Sequence, residues 1–232
     1  MAEGATHVGI CAKTRQYAAF TLAEVLITLA IIGVVAAMTI PTLVNNYQEK
    51  QTITKLKVAQ NTFYNALRLA EVENGSIESW TQIALSEECS LKIASILKKY
   101  LRISKDCGID DSKGACIYSG FYKRLDGATH DSYANGSPYY AYKVVLSNGT
   151  SIFWHGQNNT NALSFFVDTN GPSQPNVFGR DLFLFRYANG ELVPLGAPGY
   201  DDYETHCAST SSTGYGCTYY VLTYNNMDYL KN

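Results

Sequence analysis

An unbroken apolar run from Phe20 to Val44 constrains this chain more than any other feature, because it carries a single carboxylate, Glu24, close to its start. A membrane helix needs about 20 mainly apolar residues. This run has 25, or about 37 Å of helix at 1.5 Å per residue. An acid inside such a segment costs about 2.5–3.5 kcal/mol at the helix centre and less towards an end. It therefore needs a partner and a function. An ordinary secretory signal has its small-residue cleavage site after the apolar run. Here the small residues Ala18 and Ala19 come before it, behind a polar leader that contains Lys13 and Arg15. A plain single-pass anchor accounts for the apolar composition, but not for Glu24, for the small residues ahead of the run, or for Pro41 within it. The basic residues orient the segment only weakly, since Lys50, Lys55 and Lys57 follow it.

A short basic leader, a small residue, then Phe20, Thr21, Leu22 and an acid at the fifth position resemble the type IV prepilin and pseudopilin signal. The resemblance covers Ala19 to about Ala70. It implies cleavage between Ala19 and Phe20 by a prepilin peptidase, N-methylation of Phe20, and retention of the apolar helix as the assembly element. The family usually has Gly before the cut, where this chain has Ala19. Gly33 and Pro41 stand where the family places helix breakers that let the helix partly melt during packing into a filament. Their chemistry agrees. Pro41 removes a backbone donor and clashes with the carbonyl of Ala37. Gly33 costs about 1 kcal/mol relative to Ala. The implied organisation is a leader over 1–19, a transmembrane and assembly helix over 20–44, an amphipathic continuation over 45–75 and a globular domain over 76–232. The implied partners are the peptidase, other pilins or pseudopilins, an inner-membrane assembly platform and membrane lipid. The implied location is the bacterial inner membrane, single-pass, with the C-terminal domain exported.

Past the apolar run the chain is long enough for one globular domain with its own core. A net charge of −2 and the lack of a basic stripe argue against nucleic acid as a partner. Ile53, Leu56, Phe63, Leu67 and Ala70 recur at helical spacing, and Asn74-Gly75 is a stop signal. A second helix is expected over Ser86–Ile103, with Glu87 and Glu88 in its first turn and Lys98, Lys99 and Arg102 in its last. From Ile117 the pattern changes to period two. Tyr140–Leu146 and Ser151–Trp154 flank Asn148-Gly149, and Leu182–Tyr187 and Leu192–Pro194 flank Asn189-Gly190, two hairpin signals. Leu163–Val167 reads as another strand. Tyr219–Leu222 reads as a last strand or a packed segment. The expected fold is α+β and pilin-like: a long N-terminal helix packed on an antiparallel sheet, with an extra helix and a loop-rich C-terminal region.

Six cysteines are present, and Cys11 falls in the inferred leader. An oxidising compartment favours disulfides. Cys107 and Cys116 bracket one loop and Cys207 and Cys217 another, which suggests those pairings. Cys89–Cys107 or Cys89–Cys116 remains a rival. With no CxxC pair, zinc is disfavoured.

The segment from Asp168 to Asp181 resembles a recurrent pseudopilin-like motif: Asp, Asn-Gly, a Pro-Asn pair, then Gly-x-Asp before a strand. Asp168, Asn170, Asn176 and Asp181 offer oxygen ligands of the kind calcium prefers, and some pseudopilins bind calcium in a loop of this region. The spacing is not that of an EF-hand. The alternative is a turn capped by its own Asx side chains. No catalytic motif is present: His7, His130, His155 and His206 are scattered, and no HExxH, GxSxG or P-loop occurs. The chain therefore reads as a non-enzymatic structural subunit of a type IV filament, with type II secretion the leading role. A pilus subunit for adhesion, motility or DNA uptake is the alternative, as is a membrane-tethered binding domain that never assembles.

Overall fold

The computed structural model describes residues 21–157, 162–188 and 190–231. The chain forms two units that divide between Asn45 and Asn46. Helix α1 (Leu22–Asn74) is 53 residues long and runs without a break through Gly33 and Pro41. Its first part, in the N-terminal unit, has large apolar side chains exposed all round, among them Leu22, Ile27, Ile32, Met38 and Leu43. This is the one helix among the described residues that is long and apolar enough to cross a membrane. A helix that is apolar on every side has lipid or other helices as its natural surroundings. Asn74-Gly75 ends α1, with Gly75 in the left-handed region at φ 77° and its N–H donating to the Glu71 carbonyl at 2.9 Å, as a helix C-terminus requires.

In the second unit, α1 changes character. Ile53, Leu56, Ala59, Phe63, Ala66, Leu67 and Ala70 are buried on one stripe. They pack on a six-stranded antiparallel sheet whose spatial order follows the chain, β1 to β6. The strands are β1 (Ile103–Gly108), β2 (Tyr142–Leu146), β3 (Ser151–Gly156), β4 (Leu163–Asp168), β5 (Leu182–Ala188) and β6 (Glu191–Pro194). Alternation sets the faces. Ile152, Trp154, Phe165 and Val167 join the core shared with α1, and Phe63 lies 4.2 Å from Phe165, centroid to centroid. The β2–β3 turn is held by Gly149 at φ 80°, the conformation an Asn-Gly hairpin demands.

The other face of the sheet is also buried. Phe153 and Phe166 stack at 4.5 Å and pack under Ile117, Tyr122, Tyr133 and Phe178. The irregular stretch between β1 and β2 supplies most of this cover. Lys143 of β2 is wholly buried on this unit and donates to the carbonyl of Ile109.

Short helices α2 (Ile77–Trp80) and α3 (Glu87–Leu97) follow α1, and α4 (Tyr203–His206) and α5 (Cys217–Tyr224) follow the sheet. One expectation needs correction. The second helix ends at Leu97 and not at Ile103, because Ile103 pairs with Leu146 as the start of edge strand β1. Tyr219–Leu222 is the packed segment of the two expected alternatives, helical and not a strand. Val221 and the disulfide-bonded Cys217 are buried in the core shared with α1, and Asn225 closes the helix in the left-handed region. Packing overrides the β preference of Tyr and Val.

Candidate functional site

Two places hold groups whose chemistry the fold does not absorb: the start of α1, and the loop between β4 and β5. At the first, Thr21 and Glu24 form a reciprocal capping box. The Thr21 backbone N–H donates to Glu24 Oε2 at 2.8 Å and its hydroxyl donates to the same oxygen at 2.9 Å. The Glu24 N–H donates back to Thr21 Oγ1 at 3.2 Å. The carboxylate in the apolar run therefore has a partner within its own chain. The sequence names Thr21 only within the prepilin-like signal; its capping role follows from Thr-x-x-Glu ahead of an apolar run, a recognisable signature. Ala19 and Phe20, the inferred cleavage pair, lie outside the described residues. Gly33 and Pro41 are both within the continuous helix.

At the second place, antiparallel pairing of β4 with β5 sets Asp168 opposite Leu182. The Thr169 N–H donates to the Asp181 carbonyl at 2.9 Å. The two acids thus meet at the base of the loop. Asp168 is wholly buried, and Asp181 and Asn176 are nearly so. Asp181 accepts from the N–H groups of Asn176 and Val177 at 2.7 and 2.6 Å. Asp168 accepts from the Asn170 N–H at 3.2 Å and from the Tyr122 hydroxyl at 2.8 Å. Tyr122 reaches the loop because its segment runs beside it: Lys123 donates to the Asn176 carbonyl at 3.0 Å and accepts from Phe178 at 2.9 Å. From α1, Lys55 donates to the Thr169 carbonyl at 2.8 Å. The roles of Tyr122 and Lys55 had no signal in the sequence, since each is remote from the loop along the chain.

Burial, reinforced by the nearby Asp181 charge, pushes the Asp168 carboxyl well above the usual range. Burial also raises Asp181, against the pull of the Val177 and Asn176 N–H groups. Neither acid forms an ion pair among the described residues. Asn170 Oδ1 and Asn176 Oδ1 are buried without a hydrogen-bond partner. Such oxygens are costly to leave unpaired. Two buried carboxyl groups without an ion-pair partner among the described residues and two amide oxygens without a hydrogen-bond partner stand in this loop, and oxygen groups are the donors a hard divalent cation prefers. The capped-turn chemistry is present as well, in the Asp181 bonds to the loop backbone.

Disulfides join Cys107 to Cys116 and Cys207 to Cys217, and Cys89 is a buried free thiol. Asp111 lies with the first pair, where its carboxylate accepts the N–H groups of Ala115, Cys116 and Ile117. With both sulfurs bonded to each other, no thiolate remains there to hold zinc. Gly179, at φ 77°, passes so close to the second disulfide that a Cβ on it would meet the Cys217 sulfur at 2.7 Å.

Comparison with protein families places the prokaryotic N-terminal methylation motif over residues 14–40, the type IV prepilin-like signature. Comparison with curated proteins and with solved structures gave no significant match. The chain carries a pilin-like α+β architecture, and its motif supports a type IV pilin-like or pseudopilin structural subunit. The motif implies processing by prepilin peptidase and assembly with other pilins. The one long apolar helix among the described residues fits a single-pass membrane-anchored protein.

Proposed function

We propose that this chain is a pseudopilin or minor pilin of a type IV filament that serves type II protein secretion. The observation that carries the reading is Glu24, four residues past the inferred new terminus in an apolar helix whose side chains are left exposed. The subunit waits in the inner membrane, and its β-rich domain is exported. Cleavage after Ala19 frees the amine of Phe20, which is then methylated. Until assembly, Thr21 satisfies the Glu24 carboxylate. During assembly the carboxylate passes to the terminal amine of a neighbouring subunit, where pairing offsets the burial of both charges. Gly33 and Pro41 are the places where α1 has least to lose by unwinding. The inner-membrane assembly platform drives the exchange from lipid into the filament.

The Asp168–Asp181 loop and the weakly acidic net charge support a secretion role over a DNA-binding one. In this reading Asp168, Asn170, Asn176 and Asp181 hold calcium. The cation would neutralise the two carboxylates and satisfy the orphaned amide oxygens. Assembly is tested with Glu24→Ala in the full chain. The variant should insert in the membrane at normal abundance and be missing from sheared filaments. Its normal incorporation would refute the proposed role of Glu24. Calorimetry with added calcium tests the loop: no heat and no gain in melting temperature would remove calcium from the reading.

A further inference from the structure

The globular unit presents two unlike surfaces on opposite flanks of α1. On one flank a groove of about 330 Å³ lies between α1 and the β2–β3 turn, lined by Val58, Thr62, Leu69, Tyr100, Arg102 and Asn148 among others. Val58, Leu69 and Val72 are 44%, 56% and 84% exposed. With Thr62 and Asn65 they fall at alternating spacings of four and three, which makes one stripe along the helix. This stripe is separate from the buried one. Arg102 lines the groove, and it and Lys99, three residues before it, are exposed; neither forms an ion pair among the described residues. The nearby Glu73 carboxylate is engaged by the Tyr100 hydroxyl at 2.6 Å.

Glu49 is nine residues before Val58, half a turn away around the helix. On its side α1 holds the C-terminal segment. Met227 donates to Glu49 Oε1 at 2.8 Å, and Lys57 donates to Asn225 Oδ1 at 2.7 Å. That segment carries a cluster of tyrosines. Tyr203 and Tyr224 lie 5.8 Å apart and Tyr220 and Tyr224 4.8 Å apart, and Tyr224 is 48% exposed. Asp201, Asp202 and Glu204 are exposed beside them, and none is in an ion pair among the described residues.

We propose that the groove of one copy receives the tyrosine–acid knob of a second copy, with Lys99 and Arg102 facing Asp201, Asp202 and Glu204. The inference rests on the filament-subunit reading in the form where this chain repeats along the filament, which supplies the second copy. A half-buried tyrosine cluster with Tyr224 exposed suits a groove that mixes apolar and polar groups. Opposite charges on the two surfaces fix the register and disfavour groove-to-groove pairing. Because the surfaces differ, the contact is heterologous. Repetition then gives an open array and not a closed dimer.

The test uses the full chain in cells that hold its peptidase and its inner-membrane assembly platform. Asn65→Cys and Thr205→Cys on one chain place a thiol in the groove and one beside the knob, without removing the contact groups. Mild oxidation should give a ladder of dimers, trimers and longer species, and neither single variant should give one. Arg102→Glu should cut the crosslinked fraction by about tenfold or more, since like charges then meet. Arg102→Glu combined with Glu204→Arg should restore it. Absence of the ladder, or a dimer from Asn65→Cys alone, would overturn the docking. If processed chains still appear in sheared filaments without the ladder, only the docking falls. If filaments and ladder are both absent, the filament reading falls with it.

Discussion

At the scale of single residues, the chain places charge where burial makes it expensive and leaves a measurable trace. His155 is buried against Tyr133, Tyr139 and Phe166, with Nδ1 2.8 Å from the Gly156 carbonyl. Burial pushes it down to about 4. The folded value lies below the unfolded one of about 6.5, so stability is fully present above pH 6.5 and lost as the pH falls towards 4, by about 3 kcal/mol in all. His155→Phe should flatten that part of a melting-temperature profile. Asp168 has the opposite sign. Its folded value is raised, so without a cation its contribution is fully present below about pH 3.9 and lost as the pH rises through the folded value. Calcium needs the ionised carboxylates. Its stabilisation should therefore be absent in acid, grow towards neutral pH, and vanish in Asp181→Asn at every pH. A calcium-induced rise in melting temperature that ignores both pH and Asp181→Asn would place the ion elsewhere. At the helix start, Thr21→Val should cost about 1 kcal/mol of local stability, read as faster amide exchange in the first turn of α1, whereas Thr21→Ser should not. The Thr-x-x-Glu pattern was present in the sequence all along. The bond from Tyr122 to Asp168 was not legible, because only the folded course of the chain beside Asn176 and Phe178 brings that hydroxyl to the loop.

At the scale of elements, periodicity was the reliable signal wherever one face of an element is buried. The stripe from Ile53 to Ala70 lies on the sheet as its spacing implied, and Asn148-Gly149 marks the β2–β3 turn. Phe63 fills the space over Phe165 and Trp154. Phe63→Ala should cost about 3–5 kcal/mol, seen as a lower denaturant midpoint with an unchanged slope. The signal failed at the exposed edge of the sheet and where covalent bonds decide. β1 is a short edge strand with register shifts against β2, so it shows no clean alternation, and the charged end of α3 looked like a continuing helix. The Tyr-rich tail became α5 because Cys217 is tied to Cys207 and Val221 is in the core. The Cys207–Cys217 bridge closes a loop of about ten residues, for which chain entropy gives about 3 kcal/mol. Cys207→Ser with Cys217→Ser should lower the melting temperature accordingly, and an unchanged value would show that packing alone holds α5.

At the scale of the whole molecule, α1 is one helix with two physical roles. Its first half offers apolar surface on every side, and its second half buries one stripe in a sheet that is covered on both faces. The cover on the outer face could not be read from the sequence, because the stretch between β1 and β2 has no period and contributes scattered aromatic residues. The motif at the first half could be read, since one acid in an apolar run behind a short leader is a rare arrangement with a specific chemistry. The most direct measurement on the role of that half is the intact mass and N-terminal sequence of the membrane-extracted protein, with the cognate prepilin peptidase present and absent. A filament subunit should begin at methylated Phe20 only when the peptidase is present. A chain that begins at Met1 or Ala2 in both cases would contradict it, and would make α1 a static anchor for the domain it carries.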